Sequence, residues 1–274
     1  MQEFHVKDHA PSLLPDGVKA KLVFADEFDG GVLNRDVWDY RTCMMGRRHP
    51  AWVEDGVTLD GKSHAVFRVM EKDGLIVSSQ LQTGYNFMDE PVTATTFGRD
   101  QLQWPIGKLH VSKYLKAYGY FECRCRLQQM DGWWSAFWIQ SPIIGASLDA
   151  AQTGAEMDIM ESFFPGKVAA HNIFSGGYGK DTRRYRVGGR DDLDKTVFHT
   201  FGLLWDKNGY TFYIDGVEDG HISEDVSACP EFILISTEVM GYREKEHTFK
   251  PEAVAAARAG DTFLVDHIRV FDVE

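Results

Sequence analysis

No apolar run in the 274-residue sequence approaches the roughly 18 to 20 residues that cross a bilayer, so no membrane span is expected. Positive charge is also in deficit. Against 41 acidic side chains there are 29 basic ones, giving a formal net charge of −12, a field that repels phosphate and excludes nucleic acid as a general partner. Cysteine is scarce: four residues are too few for a disulfide scaffold, and no Cys-x-x-Cys pair is present to suggest a zinc site. Cys123 and Cys125 lie two apart in a strand-like stretch, where parallel side-chain vectors bridge poorly, so buried free thiols are expected. The start, Met1 to Lys21, lacks the apolar core of a secretory signal. Internal repeats and low-complexity segments are missing, and helical periodicity is nearly so.

What remains is the composition of a soluble globular chain, with 43% hydrophobic residues and 26 glycines. Residues 21–274 are read as one β-sandwich domain, with residues 1–20 as an N-terminal extension packed on it. The dominant period is two. Phe121, Cys123, Cys125 and Leu127 alternate with Glu122, Arg124 and Arg126, the pattern of a strand with one buried face. Further strands are expected at Lys21–Phe28, Leu75–Gln82, Gly132–Gln140, Glu156–Phe163, Ala169–Phe174, His199–Trp205, Tyr210–Ile214, Phe232–Glu238 and Thr262–Phe271. Asn208-Gly209 marks a tight hairpin through positive φ. One helix is expected, Pro251 to Ala259, with Pro in its first turn and Gly260 as its stop. Many strands and one short helix give an all-β jelly roll or sandwich. The long connections Arg41–Lys62, Gly84–Gly107 and Ser175–Lys195 exceed plain hairpin loops and are expected to shape a binding site.

The chemistry concentrates in Gly154-Ala155-Glu156-Met157-Asp158-Ile159-Met160-Glu161-Ser162. In a regular strand Glu156 and Asp158 share one face, Met157 and Ile159 the other. Strict alternation would then drive Glu161 into the apolar core without a partner, at a cost of several kcal/mol. A β-bulge at Ile159 or Met160 removes the conflict by shifting the parity and returning Glu161 to its acidic neighbours. Three carboxylates on one face repel, and the repulsion raises at least one pKa, leaving an acid beside an anion near neutral pH. That pairing is what double-displacement cleavage of a glycosidic bond requires.

The segment resembles the bulged Glu-x-Asp-x-x-Glu signature of glycoside hydrolase family 16. Other stretches match the family in order: Phe24 to Gly30, Tyr118 to Arg124, Gly132 to Trp138 with Ser135 in place of the usual Pro, Phe198 to Trp205, Phe212 to Gly216 and Val265 to Phe271. The resemblance implies a concanavalin-like jelly-roll sandwich of two curved antiparallel sheets with a concave substrate cleft. It implies Glu156 as nucleophile, Asp158 as the residue that tunes and orients it, and Glu161 as acid/base of a retaining endo-glycanase. The substrate would be a β-galactan or β-glucan type polysaccharide. A lectin-like binding protein and a transglycosylase are the alternative readings on the same scaffold.

Trp134 and Trp138 are placed in the cleft by the resemblance, as platforms for the apolar faces of sugar rings, and His171 near the acid/base. Arg183 and Arg184, with Arg47, Arg48, Arg186 and Arg190, stand out from the acidic background and are of the type that clamps sulfate or carboxylate groups on a polymer. Ile235 to Val239 departs from the Gly-Gly-rich strand of the family's β-1,3-glucanases, which weakens a laminarinase reading. No cofactor is required, while the resemblance leaves room for a structural calcium held by Glu27 and Asp266 on the convex face. A monomer is expected. A polymeric substrate implies a secreted or periplasmic protein, with the cytoplasm left open by the missing signal.

Overall fold

The computed structural model describes residues 1–44, 47–86, 89, 96–99, 102–105, 110–163, 168–241 and 249–274. Two antiparallel sheets carry the architecture. A seven-stranded sheet runs in the order Arg183–Arg190, Ala169–Ser175, Ala155–Ser162, Trp133–Gln140, Phe232–Val239, Gln80–Gln82 and Asp39–Tyr40. An eight-stranded sheet runs Val217–Ile222, Gly209–Ile214, His199–Asp206, Gly119–Arg126, Thr262–Val273, Ala65–Arg68 and Val57–Leu59, with Ala20–Asp26 also paired to Thr262–Val273. The fold is the concanavalin-like jelly roll of two packed antiparallel sheets.

Alternation builds the core. Phe121, Cys123 and Cys125 meet Phe137, Met157, Ile173 and Ile235 across the sandwich, and all are fully buried. Each large apolar side chain contributes about 1.5 to 3 kcal/mol by leaving water. The helix spans Pro251–Ala259 and buries Ala253 and Ala256. Gly132, at φ 96, lets it approach the sheet, since a Cβ there would sit 2.2 Å from Ala253 N. The hairpin after His199–Asp206 closes differently from expectation. Asn208 does not take a positive φ; the Asp206 carboxylate ties the turn, accepting from the backbone N–H of Asn208 at 2.6 Å and of Gly209 at 3.2 Å.

Two expected segments are redrawn. Leu75–Gln82 is two strands, Leu75–Val77 and Gln80–Gln82, and only the second joins the seven-stranded sheet. The stretch 175–195, expected as a loop, contains the eight-residue edge strand Arg183–Arg190. Much of Gly84–Gly107 lies outside the described residues.

The outer face of the eight-stranded sheet is covered by the N-terminal hairpin of Gln2–Phe4 and Ser12–Leu14. Phe4 packs edge-on against Phe271, Tyr120 donates its hydroxyl to Leu13 O at 2.9 Å, and Leu13 N donates to Glu122 at 2.8 Å. Beneath it His267 and Glu122 form a fully buried pair at 3.1 Å, so Glu122 belongs to this face and not to the cleft. Cys43, Cys123 and Cys125 are buried, while Cys229 is half-exposed with Sγ 2.9 Å from Gln152 O.

Candidate active site

Register along Ala155–Ser162 shows how one strand presents three carboxyls. Asp158 lies opposite Trp138, and Met160 opposite the adjacent Phe137, leaving Ile159 as an extra residue. On the other side Asp158 faces Asn172 and Glu161 faces Ala170, so Ile159 and Met160 together oppose His171. Both bulged side chains are fully buried in the core. The parity shift turns Glu161 to the concave face with Glu156 and Asp158, as the sequence predicts.

His171 locks this bulge from inside the sandwich. Its Nδ1 donates to the Ile159 carbonyl at 2.7 Å, its ring stacks on Phe212 at 4.8 Å, and Nε2 lies 3.4 Å from Asp219. Fully buried, His171 is a core residue rather than the cleft residue the resemblance implies. Its neighbour Asn172 takes the cleft position and donates to Glu161 Oε2 at 2.6 Å. The carbonyl that a bulge strands needs a donor, and a histidine facing inward supplies it.

The environment separates the acids. Glu161 is pushed up to about 7, first by burial, with the Asn172 hydrogen bond pulling down and the charge of Glu156 pushing up. Asp158, 3% exposed, is driven well above the usual carboxylate range by burial, then by the fields of Glu161 and Glu156. Glu156 is tied from the side by two donors on one oxygen: Gln140 Nε2 at 3.0 Å and the Tyr178 hydroxyl both reach Oε2. Gln140 accepts in turn from Asn86, whose backbone N–H reaches Asp89 at 3.0 Å, and Asp89 pairs with buried Arg41 at 2.6 Å. A fourth acid, Glu238, is 5% exposed and adds its field to both Asp158 and Glu161.

The aromatic floor is only partly as expected. Trp134 is half-buried at the cleft, tilted against Phe163 at 5.8 Å. Trp138 points to the same face but is 7% exposed: its Nε1 donates to Ser236 at 3.0 Å, and the Arg41 guanidinium covers its ring at 5.4 Å. Of the two rings Trp134 is the one left partly open, and Trp138 is a support under Arg41.

The arginines divide by parity. Arg183 turns away from the concave face, where Asp225 and the Leu148 carbonyl hold it, the latter at 2.6 Å, so it is not a cleft residue. Arg184, opposite Phe174 and 5.4 Å above its ring, and Arg186, opposite Asn172, lie in the rows that continue from Glu156 and Asp158. Both are exposed and have no ion pair among the described residues. Arg190 pairs with Asp192 at 2.7 Å.

The calcium expectation does not fit the residues present. Arg269 occupies both oxygens of Glu27, at 2.8 and 2.7 Å, and Arg124 pairs with Asp266. Among the described residues no group of three or more His, Cys, Asp or Glu is placed to hold a metal. Guanidinium groups supply the positive charge that a cation would bring.

A jelly-roll sandwich whose open face carries an ionisable acidic triplet, two Glu flanking an Asp on one bulged strand, has the construction of a glycoside hydrolase. The family model for glycosyl hydrolases family 16 matches residues 68–231, more than half the chain, and the protein belongs to that family. It is 24% identical over 206 residues to glucan endo-1,3-beta-glucosidase A1 of Niallia circulans, covering 71% of this chain and 28% of that protein. With a xylanase/beta-glucanase of Ruminococcus flavefaciens it shares 28% identity over 123 residues, 43% of this chain and 14% of that one. The chain thus spans under a third of either relative. Among solved structures, SCLam, a non-specific endo-beta-1,3(4)-glucanase, superposes with a TM-score of 0.63 at 20% identity, covering 94% of each chain. The catalytic domain of a laminarinase from Thermotoga petrophila RKU-1 gives 0.61 at 17% identity over 93% of this chain and 98% of that one.

Proposed function

We propose that the protein cleaves internal β-glycosidic bonds of a polysaccharide with a β-glucan type backbone, by double displacement with retention. The observation that carries this reading is the bulge at Ile159, which sets a carboxyl with a pKa of about 7 beside Glu156 on one face. Glu161 is the proton donor to the leaving glycosidic oxygen, and Glu156 forms the bond to the anomeric carbon as the old bond breaks. Glu161, now ionised, takes a proton from water as water displaces Glu156. Burial, then the fields of Glu161 and Glu156, drive Asp158 well above the usual carboxylate range, which disfavours a further negative charge beside the nucleophile. The β-glucan backbone is supported by the names of the relatives, and Trp134 is the stacking surface for a sugar ring.

Azide tests the assignment of roles. Glu156→Ala is expected to lose turnover of an aryl β-glycoside and to regain it with azide as the α-glycosyl azide; Glu161→Ala is expected to give the β-azide. Wild-type turnover by both variants would refute the reading. Polymer products longer than the donor would identify sugar, not water, as the acceptor.

A further inference from the structure

Tyr178 lies outside the motif stretches singled out in the sequence. It sits in the turn after Ala169–Ser175 with 37% of the residue exposed, yet its hydroxyl is turned in onto Glu156 Oε2 and also accepts from Gln140. The two donors on that oxygen are held differently. Gln140 is built into the sheet and fixed at its far end through Asn86, Asp89 and Arg41. Tyr178 comes from a loop, and its ring packs in neither the main core nor the smaller apolar clusters. Among the described residues, its hydroxyl is held by Glu156 and Gln140.

Donors to a carboxylate stabilise the anion far more than the neutral ester that replaces it, because charge-assisted hydrogen bonds are the stronger ones. The difference acts oppositely on the two steps. In the first, an oxygen of Glu156 bonds to the anomeric carbon, the bond to the leaving sugar oxygen breaks, and that oxygen takes the Glu161 proton. Donors on Glu156 restrain this attack. In the second, water bonds to the anomeric carbon, its proton passes to Glu161, and the electron pair of the breaking ester bond returns to Glu156. Donors on Glu156 assist this departure. We infer that the Tyr178 hydroxyl is a catalytic hydrogen-bond donor that stabilises Glu156 as the leaving group of the second step and so sets the balance between ester formation and ester hydrolysis. The inference rests on Glu156 being the nucleophile.

Tyr178→Phe keeps the ring and removes the donor. With an activated dinitrophenyl β-glucoside oligomer in rapid mixing, the variant is expected to release a burst of phenolate approaching one equivalent per enzyme, followed by a steady rate lower by about tenfold or more. KM falls with kcat as the ester accumulates, mass spectrometry finds the sugar on the Glu156 peptide, and added azide speeds steady turnover in the variant more than in the wild type. A purely structural role would lower kcat with neither burst nor azide acceleration. Such a result, or a variant with wild-type kcat and no burst, would overturn the inference. An ester on a residue other than Glu156, or full turnover by Glu156→Gln, would instead remove the reading beneath it.

Discussion

Replacing Glu161 with Gln should separate stability from activity, and the pH dependence gives the size of the effect. Glu161 titrates at about 7 in the fold against 4.5 for an ordinary Glu, because burial and the field of Glu156 outweigh the Asn172 bond. A carboxyl that holds its proton more tightly when folded favours the folded state below the unfolded value, and that advantage is lost as pH rises through the folded value. At 1.36 kcal/mol per pH unit the gap corresponds to about 3 kcal/mol, an upper limit because Asp158 and Glu156 share the same field. The amide of Glu161→Gln cannot titrate, and its oxygen still accepts from Asn172. Urea unfolding at pH 5 and pH 8 should therefore show the variant gaining about 1 to 3 kcal/mol on the wild type between the two values, while hydrolysis falls by orders of magnitude. The wild-type rate should drop on the alkaline side of about pH 7, where the proton donor is lost. Parallel loss of stability by both proteins from pH 5 to pH 8 would refute the argument, since it would mean that Glu161 is not strained by its surroundings.

Other perturbations test the frame around the site. His171→Leu strands the Ile159 carbonyl and should cost about 2 to 4 kcal/mol in denaturant unfolding, with a fall in kcat of about tenfold or more as Glu161 shifts. Thermal midpoints should move by less than about 1 °C with EDTA or added calcium, because Arg269 and Arg124 already neutralise Glu27 and Asp266. Arg269→Met should destabilise by about 3 to 5 kcal/mol, since it strips both guanidinium hydrogen bonds from Glu27 beneath the N-terminal hairpin and leaves His9 at 3.7 Å and His267 at 3.9 Å as its neighbours. Arg184 and Arg186 should lower KM for a sulfated or carboxymethylated form of a β-glucan relative to the same neutral backbone, an advantage that salt and the paired Arg184→Ala, Arg186→Ala variant both erase.

The parts of the protein governed by local pattern were legible in the sequence. Alternation around Cys123 located a strand, Pro251 and Gly260 bounded the helix, and an acid in the wrong phase at Glu161 pointed to the bulge. Legibility failed where distant residues decide. His171 keeps the inward parity of Ala169 and Ile173 along an unshifted strand, so its neighbour Asn172 and not His171 reaches Glu161, against what the resemblance implied. Trp138 carries a proper cleft parity, but Arg41, almost a hundred positions earlier, lies on its ring. Arg183–Arg190 alternates Tyr185 and Val187 with arginines, and its polar, glycine-containing composition hid an edge strand. Gln140 gave a faint signal, standing on the face of Trp134 at the end of an apolar strand, whereas nothing in the local sequence tied Tyr178 to Glu156.

The disposition of the thiols has a practical consequence. Because only Cys229 meets solvent while Cys43, Cys123 and Cys125 are sealed, a maleimide should attach to the native protein once and to the denatured chain four times. Alkylation stoichiometry thus becomes a direct readout of global opening. The same lone attachment point, beside the four-residue helix Ala150–Thr153 that precedes the carboxylate strand, offers a place for a fluorophore that leaves the cleft residues untouched.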